Sequence, residues 1–237
     1  MNEMERDKRT DLLRRTAKEV RGFHVKMKIL SSLLIMLAVV AGVFYATSAL
    51  YKNTGSFTVG VNKVDMIKYG LTLSEAPDMS HNTSHLNTQI NEMITNIAGD
   101  VDIPEDVDEG NGIKNGKNYI AYTFHLQNAG EVAFPVEYEV NMSGVTNGLD
   151  EAIRLRLYVD GVPTTYAKLK SSGEGPEPGT EPFYNAGIMA HGRIDEFAPG
   201  DVRRFTIVLW IEGTDPDCVD ALIDGVLRAE MNMRVVH

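Results

Sequence analysis

The 237 residues are 43% hydrophobic and 24% charged, an ordinary globular composition that excludes wholesale disorder and fibrous repeats. The charge is unevenly placed: residues 1–28 hold nine Lys/Arg against five acids, whereas the remainder carries a net charge of −14 within a chain total of −10. A segment that acidic, with no basic stripe of interleaved aromatics, repels phosphate backbones, so nucleic-acid partners are excluded.

In chain order, the basic segment 1–28 comes first, with Leu12, Leu13, Ala17 and Val20 near helical spacing among its charges. Residues 29–51 follow (ILSSLLIMLAVVAGVFYATSALY), uncharged throughout. As a helix this run is about 34 Å long, enough to cross a hydrocarbon core of about 30 Å. Arg14, Arg15, Lys18, Arg21, Lys26 and Lys28 crowd its leading flank while Lys52 stands nearly alone behind it, which predicts a cytoplasmic N-terminus and an extracellular remainder. A cleaved signal peptide is the rival, since Ala46-Thr47-Ser48-Ala49 offers small residues at the right end. The apolar run and the 28 residues before it are both longer than such peptides use. The predicted organisation is thus 1–28 cytoplasmic, 29–51 a transmembrane helix or uncleaved signal anchor, and 52–237 an extracellular domain.

Beyond Lys52 the texture becomes short alternating runs broken by Gly, Asn, Asp and Pro. Strands are predicted over 56–62 and 66–73. In Tyr119–Asn128 the residues Ile120, Tyr122, Phe124 and Leu126 share one face. Asn128-Ala129-Gly130 turns the chain into a second run that buries Phe134, Val136, Tyr138, Val140 and Met142, and the two are read as an antiparallel hairpin. Ile153, Leu155, Leu157 and Val159 alternate up to Asp160-Gly161, a strong hairpin signal leading into 164–169. Phe205, Ile207, Leu209 and Ile211 have Thr206, Val208 and Trp210 opposite, apolar enough for a strand covered on both faces. The last run buries Leu227, Ala229, Met231, Met233 and Val235. About eight strands with few helices predict a mainly β fold, an antiparallel β-sandwich of immunoglobulin-like or jelly-roll kind. Residues 84–98 (SHLNTQINEMITNIA) are predicted as a helix, 215–224 as a short helix with an Asp cap, and 171–182 (SSGEGPEPGTEP) as an exposed loop.

Few residues suggest chemistry. In the acidic stretch 100–109, Asp100, Asp102, Asp106 and Asp108 are candidate ligands for calcium, which wants several hard oxygens at once, with a solvated acidic loop as the plain alternative. Asp215, Asp217 and Asp220 raise the same question, though helix-capping acids explain them with less. His81 and His85 have the spacing of a helical zinc pair without the Glu that HExxH chemistry requires. The single cysteine, Cys218, rules out an internal disulfide. No catalytic or cofactor-binding motif is present, and the expectation leans away from an enzyme.

Taken together, the apolar N-terminal segment, SFTVGVNK, NYIAYTFHLQNAGEVAFPVEYEV and FAPGDVRRFTIVLWIEGTDPDC resemble membrane-anchored surface proteins of Gram-positive Firmicutes. The layout is more distantly similar to the TasA and camelysin group of secreted or surface-held β-sandwiches, which includes biofilm-matrix fibre subunits. That resemblance implies a non-enzymatic surface protein for adhesion, protein interaction, self-association or matrix assembly. Its camelysin side implies the alternative, an envelope metal-dependent hydrolase; the resemblance carries over no ligand set, and His81, His85 and nearby acids are the chain's own candidates for such a metal site.

Overall fold

The computed structural model describes residues 27–43, 55–90 and 94–236. The chain divides into two compact units, Met1–Tyr51 and Lys52–His237. In the first, helix α1 runs over 27–43, two residues ahead of the predicted span, and its apolar side chains stand exposed. Ser31 and Ser32 return their hydroxyls to the carbonyls of Lys28 and Ile29 at 2.9 Å, so they add no polar face. Among the described residues no helix is long and apolar enough to cross a membrane. The rest of the predicted span, 44–51, and the predicted cytoplasmic helix within 1–26 lie outside the described residues.

The second unit is mainly β and is built from two mixed sheets. Its elements are β1 (Gly55–Val61), α2 (Lys63–Tyr69), β2 (Leu71–Ser74), β3 (His85–Ile90), α3 (Gly99–Asp102), β4 (Gly112–Ile113), β5 (Tyr119–Asn128), β6 (Phe134–Val145), β7 (Ile153–Val159), β8 (Val162–Ala167), β9 (Glu181–Pro182), β10 (Ile188–Phe197), β11 (Val202–Ile211) and β12 (Leu227–Val235). The five-stranded sheet has the order β10-β6-β12-β1-β3. The seven-stranded sheet has the order β2-β5-β11-β7-β8-β9, with β4 also pairing β5. One hydrophobic cluster takes Phe57, Val59 and Met231 from the first sheet and Phe124, Leu155 and Ile207 from the second. Phe124 and Phe205 stack at 5.6 Å within it.

Several expectations are corrected. The sheets are not purely antiparallel: β1 lies parallel to β12, joining the first and last strands of the unit, and β8 lies parallel to β9. β5 and β6 do not form a hairpin but belong to different sheets, because β5 is already paired by β2 and β11. Buried Asn128 redirects the chain between them. Its amide donates to the carbonyls of Val132 and Phe197 at 2.9 and 2.8 Å while its oxygen accepts from the Gly130 amide. Residues 66–73 are the end of α2 followed by β2: Asn62 caps α2 by accepting from the Val64 amide, and Gly70, at φ 73°, ends it. The predicted helix 84–98 begins as β3, in which Thr88 is buried while His85, Asn87 and Gln89 are exposed, a period of two imposed by pairing with β1. Residues 215–224 hold only a single 3-10 turn, Asp220–Leu222. β10 was not foreseen.

The hairpin at Asp160-Gly161 forms as expected, both residues at positive φ (53° and 83°) as a two-residue type I′ turn requires. β11 is covered on both faces. Its outer face carries a second cluster in which Ile97, Ile103 and Val107 pack on Ala121, Tyr158, Val208 and Trp210.

Candidate functional site

On β7 the alternation that sends Ile153, Leu155 and Leu157 into the core sends Arg154, Arg156 and Tyr158 to the opposite face. Arg154 stands opposite Trp210 of β11 and Ala167 of β8, at the end of the face where the outer cover stops. Two loops close over it, one supplying Glu177 and the other Asp215 and Asp217. Arg154, Glu177 and Asp215 are each about 5% exposed or less. The Arg154 guanidinium lies 2.6 Å from Asp215 Oδ2 and 3.8 Å from Glu177 Oε2. The shorter approach is a charge contact rather than an aligned hydrogen bond, since among the described residues Oδ2 has no donor in hydrogen-bonding geometry. Asp215 Oδ1 accepts from the Asp217 amide at 2.8 Å, folding the segment over its own carboxylate. Asp217 in turn accepts from the amide and hydroxyl of Ser171, and those two donors hold its carboxyl below the usual range. Carboxylate oxygens of Glu177, Asp215 and Asp217 all lie within 4.8 Å of one another.

The neighbours are ionic too. Lys168 Nζ is 2.7 Å from Asp150 and 2.6 Å from Glu151; burial lowers its pKa, but the two carboxylates outweigh it and the net direction is up. Burial pushes the Glu212 carboxyl up, yet donors from Trp210, Thr214 and Gly99 hold it below its ordinary value. Beside the cluster runs a groove of about 820 Å³ lined by Arg156, Tyr158, Thr165, Pro176 and Glu177, among others, so Glu177 belongs to both. The arrangement offers three sets of hard oxygen donors beside one guanidinium, the donor type that hard cations take.

The other singled-out residues are placed apart. Asp100 accepts from Arg156 at 3.1 Å with its own side chain 94% exposed, and Asp102 accepts from the Ala98 amide at 2.9 Å. Asp106 offers its backbone carbonyl to Lys114, and Asp108 pairs with Arg204 at 2.9 Å. Asp100 and Asp108 thus tie the outer cover to β7 and β11, while Asp102 bonds within its own segment and Asp106 reaches Lys114 only through its backbone carbonyl. Among the described residues the group of three that could take a metal is Glu177, Asp215 and Asp217. His81 and His85 share a depression of about 720 Å³ with Glu75, whose carboxylate accepts from the Tyr122 hydroxyl. Cys218 is half-buried and accepts from the Asn96 amide nitrogen at 3.2 Å.

Reading the sequence had noted Asp215 and Asp217 but missed Arg154 and Glu177. Arg154 was legible as an outward residue flanked by core positions; nothing local marks Glu177, which sits in a loop whose composition reads as solvated.

No protein-family model matches the chain, and no curated protein does. Among solved structures, the likeness to AvmM, which catalyzes macrocyclization in alchivemycin A biosynthesis, has a TM-score of 0.25 at 10% identity over 50% of this chain and 79% of that one. The GH31 alpha-xylosidase of Xanthomonas citri gives 0.27 at 14% identity, over 70% of this chain and 17% of that one. A beta-glucosidase of Kluyveromyces marxianus gives 0.24 at 13% identity, over 68% and 17%. Likenesses at these TM-scores bear on neither the fold nor the chemistry of this chain.

Proposed function

We propose that this is a single-pass membrane-anchored surface protein of the kind it resembles among Firmicutes, with residues 1–28 in the cytoplasm and residues 52–237 outside the cell. Its outer unit is a β-sandwich, immunoglobulin-like or jelly-roll in kind, whose role is non-enzymatic: adhesion, matrix assembly, or binding of other surface proteins or of itself. The observation that carries the reading is the uncharged run 29–51 with cations massed before it. Residues 29–43 of α1, the described part of that run, present apolar side chains with no polar face, a helix that water does not favour. The terminal strands β3 and β10 of the five-stranded sheet supply backbone edges at which a partner strand adds.

Topology is tested with an alkaline phosphatase fused after His237, which is active only outside the cytoplasm, alongside a fluorescent protein that matures inside it. Phosphatase activity in a membrane fraction that resists salt and carbonate washing is the expected result. Cytosolic fluorescence, or full-length chain in the soluble fraction, overturns the anchor. Sedimentation of the detergent-solubilised chain across a hundredfold range of concentration tests self-association, and a monomer throughout leaves partner binding as the only interaction role.

A further inference from the structure

We infer that Glu177, Asp215 and Asp217 form a calcium site that locks the loop of residues 170–180 against the segment 213–218. The first observation is geometric. Two oxygens that share a calcium at about 2.4 Å lie no more than about 4.8 Å apart, and the three carboxylates meet that limit. The second is independent of the clustering. Glu177 is 95% buried, since only 5% of it is exposed, yet its carboxylate accepts no hydrogen bond from any described residue, and its nearest cation, Arg154, is 3.8 Å away. Buried carboxylates are held by short charge-assisted bonds or by metal, because an under-paired one is costly to desolvate. Ser171 ties the loop (SSGEGPEPGT) to Asp217 and Thr180 bonds the Glu177 carbonyl, but none of these bonds reaches the Glu177 carboxylate, and the loop has no apolar side chain apart from proline to anchor it.

Charge points the same way. Three carboxylates face one guanidinium, an excess of two negative charges that a divalent cation cancels. Lys168, the next nearest cation, is committed to Asp150 and Glu151. The donors are all hard oxygens, which select calcium over softer metals, and the groove at Glu177 admits the waters that complete its six to eight ligands. Three carboxylates with the rest water place the affinity among weak extracellular modules, with Kd on the order of 10⁻⁴ to 10⁻³ M. The inference does not depend on the role proposed above.

The test titrates the full detergent-solubilised chain, stripped with EDTA, with calcium chloride by calorimetry, and follows thermal unfolding in parallel. One ion per chain is expected, with the midpoint rising by about 3–11 °C at 10 mM calcium. E177Q and D217N each weaken binding at least tenfold, and E177Q melts no lower than wild type in EDTA because it removes an under-paired buried charge. D100N, in the acidic stretch 100–109, binds as wild type does. No heat and no shift up to 10 mM overturns the site, as does E177Q binding like wild type or D100N abolishing binding. Should E177Q fail to fold, D217N decides by the same tenfold criterion.

Discussion

The outer cover over β5, β11 and β7 makes a sharp prediction at Gly99, the first residue of α3. Gly99 is buried beneath the face of Trp210, and a Cβ built there would lie 2.5–2.6 Å from three atoms of the indole ring. Nothing in that ring yields easily. Trp210 is 2% exposed, its Nε1 donates to Glu212 Oε2 at 2.8 Å, and the Arg156 guanidinium lies 5.1 Å from the ring. The Gly99 amide donates to the same Glu212 oxygen at 3.1 Å, so α3 and the indole are hung from one carboxylate. In G99A it is therefore α3 that lifts, carrying Ile103 and Val107 off the sheet. Overpacking of this kind costs about 1–3 kcal/mol, against which alanine returns about 0.4–1 kcal/mol by restricting the unfolded chain. The net is a loss of about 1–2 kcal/mol, or a midpoint lower by roughly 2–8 °C for a unit of this size. Trp210 is the only tryptophan, so its emission reads this one spot. G99A should shift emission to the red and raise acrylamide quenching. V101A, at an exposed position of the same helix, should do neither. Wild-type emission and an unchanged midpoint in G99A would refute the packing of the cover.

Three further outcomes are expected. F57A removes a fully buried ring from β1, the strand between β12 and β3, and should cost about 3–5 kcal/mol in denaturant unfolding; a loss under 1 kcal/mol would mean that β1 is not a core strand. R154M strips Asp215 and Glu177 of their counter-charge and should destabilise by about 3–5 kcal/mol in EDTA, so an unchanged midpoint would show those carboxylates neutralised some other way. His125 is pushed below its ordinary pKa first by burial and then by the Arg204 charge, against backbone groups of Glu75 and Ser74 that favour the protonated form; its Nδ1 has no hydrogen-bond partner among the described residues. Because the unfolded chain takes the proton first, stability should fall as pH drops below about 6.5 and level off once the folded form protonates. H125N should flatten that limb, and an identical slope in the variant would remove His125 as its source.

What could be read from residues alone follows a physical division. β5, β7, β11 and β12 were legible because each carries an uninterrupted alternation of large apolar side chains, and the Asp160-Gly161 turn because its positive φ values restrict which residues can sit there. β3 was misread because Leu86 and Ile90 satisfy a helical spacing of four as well as a strand spacing of two, and only its register against β1 decides between them. β10 was missed because register shifts at Ile188/Ala190 and Ile194/Phe197 break its period, leaving Met189, Ala190 and Phe197 as its buried residues.

The hairpin that did not form marks a deeper limit. Inward alternation tells which side of a strand meets the core, and both sheets meet the same core, so the patterns of β5 and β6 are satisfied by pairing together or by facing each other across it. The local difference lies on the outer faces: Ala121, Thr123 and His125 of β5 are buried, whereas Glu137, Glu139 and Asn141 of β6 are polar and partly open. A strand buried on both faces needs a cover, and a cover is affordable only at the middle of a sheet, so β5 belongs beside the doubly covered β11 rather than beside β6. The same logic governs the carboxylate junction. Arg154 stands where the cover ends, and an outward cation at such a boundary calls for acids from whichever loops close the gap, irrespective of their composition. Buried charge on a solvated-looking loop is thus a consequence of where the outer layer stops, a property of the sheet's arrangement and not of the loop's own residues.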